Sequence, residues 1–150
     1  MGAGLVVVLI AASLSVRAGK ESEASKPVRI TKAQIAGAIF DDYKPIVIKH
    51  DNERGAYTTE DVEAFLSSDR HFDAGMYRAG PSRSEITEPY GVDEFMYFLK
   101  GGVTLTSSDG TVQEIRAGDA VTIPKEWTGI WETDGYTKIY VMYSPDKPIK

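Results

Sequence analysis

The chain has 150 residues, 42% of them hydrophobic, which is enough for one domain with a core and too little for two. Its 17 basic and 22 acidic residues give a formal charge of −5, which argues against broad nucleic-acid binding because phosphates need a net basic face. It has no cysteine, which excludes disulfides, thiol catalysis and thiolate metal sites. Its two histidines, His50 and His71, exclude a metal site built on three histidines.

An apolar run, LVVVLIAASL, occupies Leu5 to Leu14. It is shorter than the roughly 20 residues that span a bilayer, and it has the length of the hydrophobic region of a signal peptide. Small residues before Lys20 predict cleavage after Ala18, and hence a secreted or periplasmic protein. The first residues, MGAG, carry no Lys or Arg, so a cytoplasmic protein with an apolar N-terminus remains the alternative.

The segment before residue 70 gives weaker signals. Thr31 precedes KAQIAGAIF, which predicts a short helix or an edge segment, and Pro45–Lys49 predicts a short strand. Residues 51–60 are polar and predict a loop. Asp61 lies three residues after Thr58, which approximates a capping box and predicts a helical turn over VEAFL.

From His71 onward the sequence predicts short β-strands separated by turns. EFMYFLK is aromatic and stops at Gly101-Gly102, and Asp109-Gly110 is a strong hairpin signal. The other predicted strands are HFDAGMYRAG, Ser84–Glu88, VTLTS, TVQEIR, AVTIP, Gly129–Thr133 and YTKIYVMYS. Such short strands spaced by glycine turns indicate an antiparallel sandwich or barrel.

Two spacings resemble the two-motif signature of cupins, G-x5-H-x-H-x3,4-E-x6-G and G-x5-P-x-G-x2-H-x3-N. They are Glu94-x6-Gly101 and, after a strand and an Asp-Gly turn, Gly118-x5-Pro124. The stretch IPKEWTGIWE is more specifically similar to the cupin_3 subfamily (domain of unknown function 861), whose members include ureidoglycine aminohydrolase and the ethanolamine-utilisation cupin. The resemblance covers about residues 70 to 144.

This resemblance implies an all-β protein, with a single cupin jelly-roll barrel preceded by a short N-terminal helical or irregular arm. We expect a signal peptide over 1–18, an arm and first strands over 19–69, a cupin core over 70–144 and a tail over 145–150. The fold alone does not define an activity, because it hosts many chemistries.

The positions of the cupin metal ligands carry other residues here. Counting back from Glu94, the histidine pair falls at Glu88 and Tyr90, and the last ligand of the second motif falls on Gly129. The resemblance therefore implies no classical three-histidine site, and we expect no metal or other cofactor. A divalent metal on Glu88, Tyr90 and Glu94, which keep the spacing of the aminohydrolase pattern Glu-x-His-x3-His, is the alternative.

In a cupin the face that carries Glu94 points into the barrel, and alternate residues of a strand share a face. The resemblance then implies an interior that holds Tyr77, Glu88, Tyr90, Glu94, Met96, Trp127 and Trp131. On the closing strand Lys138, Tyr140 and Met142 share one face.

We assign Glu88 and Glu94 as catalytic acid/base candidates, because two close carboxylates raise the pKa of one of them. Arg83 is a candidate clamp for a carboxylate substrate. The other predicted ligand-binding residues are Tyr77, Tyr90, Trp127 and Trp131. The simpler alternatives are that the aromatic residues are core, that Glu94 is solvated at the barrel mouth and that Arg83 is a solvated surface residue.

The leading hypothesis is a cupin-fold protein that binds or processes a small polar or carboxylated metabolite in the barrel. By family analogy we expect a homodimer, with no nucleic-acid partner and no membrane contact after removal of the signal. One alternative is a metal-dependent enzyme resembling ureidoglycine aminohydrolase. Another is a non-catalytic dimeric binding or scaffold protein whose barrel is filled by its own aromatic side chains. The sequence leaves open whether the protein is an enzyme.

Overall fold

A computed structural model describes residues 26–52 and 54–149, so the predicted signal peptide lies outside the described residues. The N-terminal arm is helical: a π-helical segment, Gln34–Ala38, continues into α1, Ile39–Asp42. Thr31 and Gln34 cap it reciprocally, since each side-chain oxygen accepts the backbone N–H of the other residue at 3.2 and 2.9 Å. Of the two structures predicted for this segment, the helix is therefore the one formed. No helix among the described residues is long and apolar enough to cross a membrane.

The rest of the described chain is an antiparallel, barrel-like sheet, which confirms the all-β prediction. Seven strands lie in the order β1-β2-β3-β9-β5-β8-β4, and β6 and β7 both pair with β5. The strands are β1 Ile46–Asn52, β2 Gly55–Leu66, β3 Phe72–Ala79, β4 Ser82–Ile86, β5 Asp93–Ser107, β6 Val112–Arg116, β7 Ala120–Ile123, β8 Gly129–Thr133 and β9 Tyr136–Tyr143.

The predicted loop over residues 51–60 and the predicted helical turn over VEAFL are both wrong. The two segments belong to a hairpin in which β1 pairs with β2 from Ile46↔Asp61 to Asn52↔Gly55. The capping-box spacing also fits a strand with alternating faces, and here Val62 is buried against the N-terminal helix while Asp61 lies on the opposite face. β2 forms a strand because its pairing with β3 and its packing under the helix outweigh the local preference of its residues.

β5 does not stop at the glycine pair, as the sequence predicts, but runs through it. Its first part pairs with β7 and β9, and the part after Gly101 pairs with β6 and β8. Gly101 has φ +65°, and a Cβ there would stand 2.9 Å from the backbone carbonyl carbon of Gly135. Glycine therefore lets neighbouring strands approach closely where β5 passes between the two halves of the barrel.

Two apolar clusters hold the fold together. The larger cluster fills the barrel interior with Met96, Phe98, Val103, Leu105, Ile115, Ile123, Trp131, Tyr136, Tyr140 and Met142. The smaller cluster lies on the outer face of the sheet, where Ile39 and Phe40 of α1 pack on Val62 and Met76. The N-terminal arm thus stabilises the barrel from outside and leaves the interior to the strands.

The C-terminal segment, residues 144–149, crosses one end of the barrel, and we call it the strap. The Ser144 N–H donates to the His71 carbonyl at 2.9 Å, and the Ile149 N–H donates to the Arg70 carbonyl at 2.6 Å. Ile149 also packs against the interior cluster. Because β3 and β5 begin and β7 and β9 end on this side, we call it the strap end of the barrel.

Candidate functional site

A buried, hydrogen-bonded group of three side chains lies inside the barrel near the strap end. Lys138 Nζ lies 2.6 Å from Glu94 Oε1, and these side chains are only 6% and 3% exposed. The Tyr90 hydroxyl donates to Glu94 Oε2 at 2.5 Å. Both oxygens of Glu94 are therefore engaged, one by a cation and one by a neutral donor.

The strand register brings the two charges together. In the β5–β9 pairing Glu94 lies opposite Met142, whereas Lys138 lies opposite Phe98, four residues further along β5. Glu94 and Phe98 face inward together because they are an even number of residues apart. The long lysine side chain leans back along the interior, and its Nζ passes 3.1 Å from Met96 Sδ on the way.

Three aromatic rings surround the Lys138 ammonium. Its Nζ lies 5.3 Å from the ring centre of Tyr77, 5.4 Å from that of Trp131 and 5.8 Å from that of Tyr136. These distances are within the range of cation–π attraction, which is stronger in a desolvated site. The sequence predicts Tyr77 and Trp131 here but misses Lys138 and Tyr136 as site residues. The available signal was a lysine on the otherwise apolar face of YTKIYVMY.

Trp127 lies beside this group. Its ring meets that of Tyr90 edge-on, with centres 6.3 Å apart, and its Nε1 donates to Ser107 Oγ at 3.0 Å. A Cβ on Gly129 would stand 2.7 Å from Cζ2 of Trp127. At the position where cupins carry their last histidine ligand, this chain therefore packs an indole ring against a bare backbone.

Glu88 does not join Glu94, so the predicted acid/base pair is not formed. Glu88 is exposed and lies after the end of β4 at Ile86, next to Pro89. The strand alternation that predicts an inward Glu88 fails because this part of the chain is a loop, and proline is unsuited to a central strand. The partners of Glu94 are Lys138 and Tyr90 instead.

Arg83, the predicted carboxylate clamp, lies on the outer face of β4. Its neighbours Ser82 and Ser84 are buried, so Arg83 faces the other way, and its Nε lies 3.4 Å from Glu132 Oε1. It does not share a face with the predicted aromatic residues of the interior, because strand parity places it outside.

The residues proposed for a metal by the aminohydrolase comparison are not assembled, since Glu88 is exposed while Glu94 is buried. Within residues 26–52 and 54–149, no three or more acidic or histidine side chains are arranged to hold a metal ion.

A second polar cluster, Asp61, Asp73 and Tyr140, lies in the same interior and was not predicted. The Tyr140 hydroxyl donates to Asp61 Oδ1 at 2.9 Å, across Gly75, where a Cβ would stand 2.7 Å from that hydroxyl. Asp73 is 3% exposed, and its Oδ1 has no hydrogen-bond partner in the part of the chain that the structure describes. We call these three residues the acidic cluster.

Burial shifts the pKa values of Asp61, Asp73 and Tyr90. Loss of water raises the pKa of Asp61 to about 6, against the pull of Tyr140 and Lys138, and raises that of Asp73 to about 8, with neighbouring carboxylates acting in the same direction. Burial first, and then the charge of Glu94, hold the pKa of Tyr90 well above its ordinary value. Tyr90 therefore remains a hydrogen-bond donor to Glu94 at all physiological pH values.

Two surface grooves of about 490 and 370 Å³ lie at the opposite end, where both are lined by Gly101 and Gly135. Arg54 and Glu132 line the larger groove, and Arg78 and Glu60 line the smaller one. Neither groove touches Glu94 or Lys138. Their exposed, mixed charges distinguish them from the buried interior group.

An antiparallel barrel with polar and aromatic groups on its inner face, preceded by a short arm, defines a cupin. Residues 66–140 match the family model described as the EutQ-like cupin domain. This match covers half of the chain, so the protein belongs to the EutQ-like cupin family, as the sequence motifs predict. No curated protein matches the chain.

Solved structures agree on the fold. A DUF861 protein of unknown function from Pseudomonas syringae is 18% identical, with a TM-score of 0.58 over 66% of this chain and 43% of its own. The EutQ protein of Clostridium difficile is 22% identical, with a TM-score of 0.50 over 60% of this chain and 71% of its own. A protein described as ethanolamine utilization protein Q from Salmonella typhimurium is 16% identical, with a TM-score of 0.51 over 69% and 98%. At these identities the likeness concerns the fold alone.

Proposed function

We propose that this cupin binds a small polar metabolite in the strap end of its barrel, in contact with Glu94, Lys138 and Tyr90. The observation that carries the proposal is the buried ion pair between Glu94 and Lys138, at 2.6 Å, inside a ring of aromatic side chains. These three residues offer an anion, a cation and a neutral donor within one small volume. Such a set recognises a polar molecule through several complementary contacts.

A gain in folding stability does not explain the buried pair of Glu94 and Lys138. Removing two charges from water costs several kcal/mol per ion, and replacing a buried pair by apolar residues is often neutral or stabilising. A β-barrel of this size can be filled by apolar side chains, as the rest of the interior cluster is. The charged pair is therefore better explained by recognition of a ligand.

A second candidate function is that of a non-catalytic scaffold whose barrel is filled by its own side chains. Two observations favour it: the rings of Tyr77, Trp131 and Tyr136 gather around Lys138, and Trp127 packs on Gly129. In that case the ion pair is a closed internal contact and no small molecule stabilises the protein.

We also propose that the protein is a homodimer, as cupins commonly are. The outer face of the sheet beyond the N-terminal helix carries exposed aromatic side chains on three neighbouring strands, Phe72 at 40%, Phe95 at 44% and Tyr143 at 50%. A second copy covering this face would bury them. Sedimentation of the wild type and of Phe95→Glu tests this, and a monomeric wild type would contradict it.

The test of ligand binding is a thermal-shift screen with small carboxylates, amines, sugars and divalent cations. A compound that binds the folded state raises the melting temperature of the wild type. The decisive variant is the double substitution Glu94→Gln with Lys138→Met, which removes both charges at once and so leaves no unpaired ion. We expect it to fold and to lose the response to the compound.

The matched control removes a surface pair, Arg83→Met with Glu132→Gln. This pair lies on the outer face, so the control should keep the response of the wild type. The ligand-binding proposal fails if no compound in the screen stabilises the wild type, or if the interior double variant responds as the wild type does. The first outcome supports the filled-barrel scaffold, and the second shows that the compound binds outside the ion pair.

A further inference from the structure

Asp73 occupies the row of interior side chains nearest the strap end. Its strand partner on β9 is Met142, and Met142 is also the partner of Glu94 on β5, so the two carboxylates flank Met142 in one row. Asp73 is 97% removed from solvent, and among the described residues its Oδ1 has no hydrogen-bond partner. A buried carboxyl oxygen without a donor is costly and uncommon, so it calls for an explanation.

Within residues 26–52 and 54–149, the groups facing Asp73 do not supply a cation. Glu63 and Asp61 on β2 and Glu94 on β5 act on it with like charge, and Tyr140 on β9 gives its hydroxyl to Asp61. Lys138 is bound to Glu94. The interior thus pairs one lysine with one glutamate and adds two further acids, Asp61 and Asp73, without a matching positive charge.

We propose that Asp73, together with Asp61, forms a subsite for the positively charged amine of the molecule bound in the barrel. The inference rests on the function proposed above and narrows its ligand to an amine-bearing metabolite. A primary ammonium has three N–H donors, which suits an unpartnered carboxylate oxygen and a second carboxylate nearby. Such charge-assisted hydrogen bonds are about twice as strong as neutral ones.

Binding exchanges one cation for another. Burial keeps Asp73 protonated near neutral pH, with a pKa of about 8, so the empty subsite holds a neutral carboxylic acid. When the ammonium group enters, the carboxyl proton leaves to solvent and the carboxylate that remains pairs with the ammonium. One proton is released for each amine bound, and the charge of the interior is unchanged.

The experiment uses n-propylammonium chloride as the probe and follows the melting temperature of the full chain. 1-Propanol serves as the neutral analogue and sodium chloride as the ionic-strength control. At pH 8, tenfold above its dissociation constant, the amine should raise the melting temperature of the wild type by about 3 °C or more. Propanol and salt should have little effect.

The proton exchange gives an independent readout. Below pH 8 the amine competes with a proton, so the concentration for half-maximal stabilisation should fall about tenfold for each pH unit between 6 and 7 and level off above 8. A response that does not change with pH would show that the amine does not displace the Asp73 proton and would overturn the inference.

Asp73→Asn is the test variant, because it keeps the size of the side chain and replaces a carboxyl that is already neutral near pH 7. It should fold and lose the amine response. Asp51→Asn is the matched control, since Asp51 is exposed on β1 and the same atoms are changed. Equal responses of the wild type and Asp73→Asn would overturn the inference, as would the absence of any amine effect on the wild type.

These outcomes separate the subsite from the function on which it rests. If a carboxylate or a sugar stabilises the wild type but not the Glu94→Gln, Lys138→Met variant, while propylammonium does nothing, the barrel binds a ligand and the amine subsite is wrong. If no compound of any class stabilises the wild type, both proposals fail together.

Discussion

The barrel interior holds two sets of polar side chains, the Glu94–Lys138 pair with Tyr90 and the acidic cluster, and they offset the cost of burial in different ways. Glu94 and Lys138 come from neighbouring strands with opposite charges, and every oxygen of Glu94 has a partner. The acidic cluster draws its two carboxyl groups from β2 and β3; Asp61 accepts the Tyr140 hydroxyl, whereas Oδ1 of Asp73 has no partner among the described residues. The first group offsets the cost of burial by pairing, whereas in the second group Asp73 offsets it by staying protonated near neutral pH.

The largest expected difference between the two groups is in the response to pH. The folded-state pKa of Asp73, about 8, lies above the ordinary 3.8, so the folded state holds the proton more tightly than the unfolded chain does. The contribution of Asp73 to the free energy of unfolding should therefore be complete below about pH 4 and should fall as the pH rises towards 8. At about 1.4 kcal/mol per pH unit, the upper limit of this loss is on the order of 5 kcal/mol.

Urea unfolding between pH 4 and 9 measures this loss, and Asp73→Asn should flatten most of it. Asp61, whose pKa is raised to about 6, should contribute a smaller fall that ends near pH 6 and remains in that variant. A wild type whose stability does not depend on pH in this range would show that Asp73 is ionised in the folded state.

Lys138→Met tests how much the buried Glu94 depends on its ion pair. The substitution leaves the buried Glu94 charge without its cation, and breaking such a pair by removing one partner costs about 3–5 kcal/mol. Adding Glu94→Gln should recover most of this loss. Chemical denaturation of the single and double variants gives the coupling energy, and a double variant as unstable as Lys138→Met alone would contradict the account of a costly unpaired ion.

Gly75→Ala should disturb the acidic cluster and leave the ion pair in place. A Cβ at this position would stand 2.7 Å from the Tyr140 hydroxyl and would also strike the backbone oxygen of Val62. We expect a loss of about 1–3 kcal/mol from this overpacking, measured by urea unfolding. Gly80→Ala controls for the general effect of replacing a glycine, because Gly80 has no positive φ either and a Cβ there would come no closer than 3.2 Å to a neighbouring atom, Tyr57 Cβ.

The smallest expected difference is between the losses of stability when the hydroxyl of Tyr90 or of Tyr140 is removed. Tyr90→Phe removes a hydrogen bond to the charged Glu94, which is worth about 1.5–3 kcal/mol, and Tyr140→Phe removes one to the protonated or partly protonated Asp61, worth about 1 kcal/mol. The gap should close above pH 7, where Asp61 is ionised. Equal losses at pH 5 would contradict the difference in charge between the two acceptors.

Much of the fold was readable from the sequence because its turns depend on particular residues. Asp109-Gly110 predicts the β5–β6 hairpin, and the motif residues of the core predict the family that residues 66–140 match. The first hairpin was missed because polar strands such as Tyr57–Asp61 carry no clear apolar alternation and gain their pairing from neighbours in space.

The inward direction predicted for the candidate side chains was correct within strands and wrong in a loop. Glu94 and Trp131 face inward because they lie within β5 and β8, whereas Glu88 lies in a loop to which alternation does not apply. The partnership of Lys138 with Glu94 depends on the β5–β9 register and on the reach of a lysine side chain, and a single sequence specifies neither.

The strap determines how the protein can be extended. Ile149 is hydrogen-bonded to Arg70 over the end of the barrel that holds Glu94 and Asp73, so any polypeptide joined after it departs from that mouth. An affinity tag or fluorescent fusion at this terminus would start above the proposed ligand site and could obstruct it. The helical arm, by contrast, packs on the outer face of the sheet.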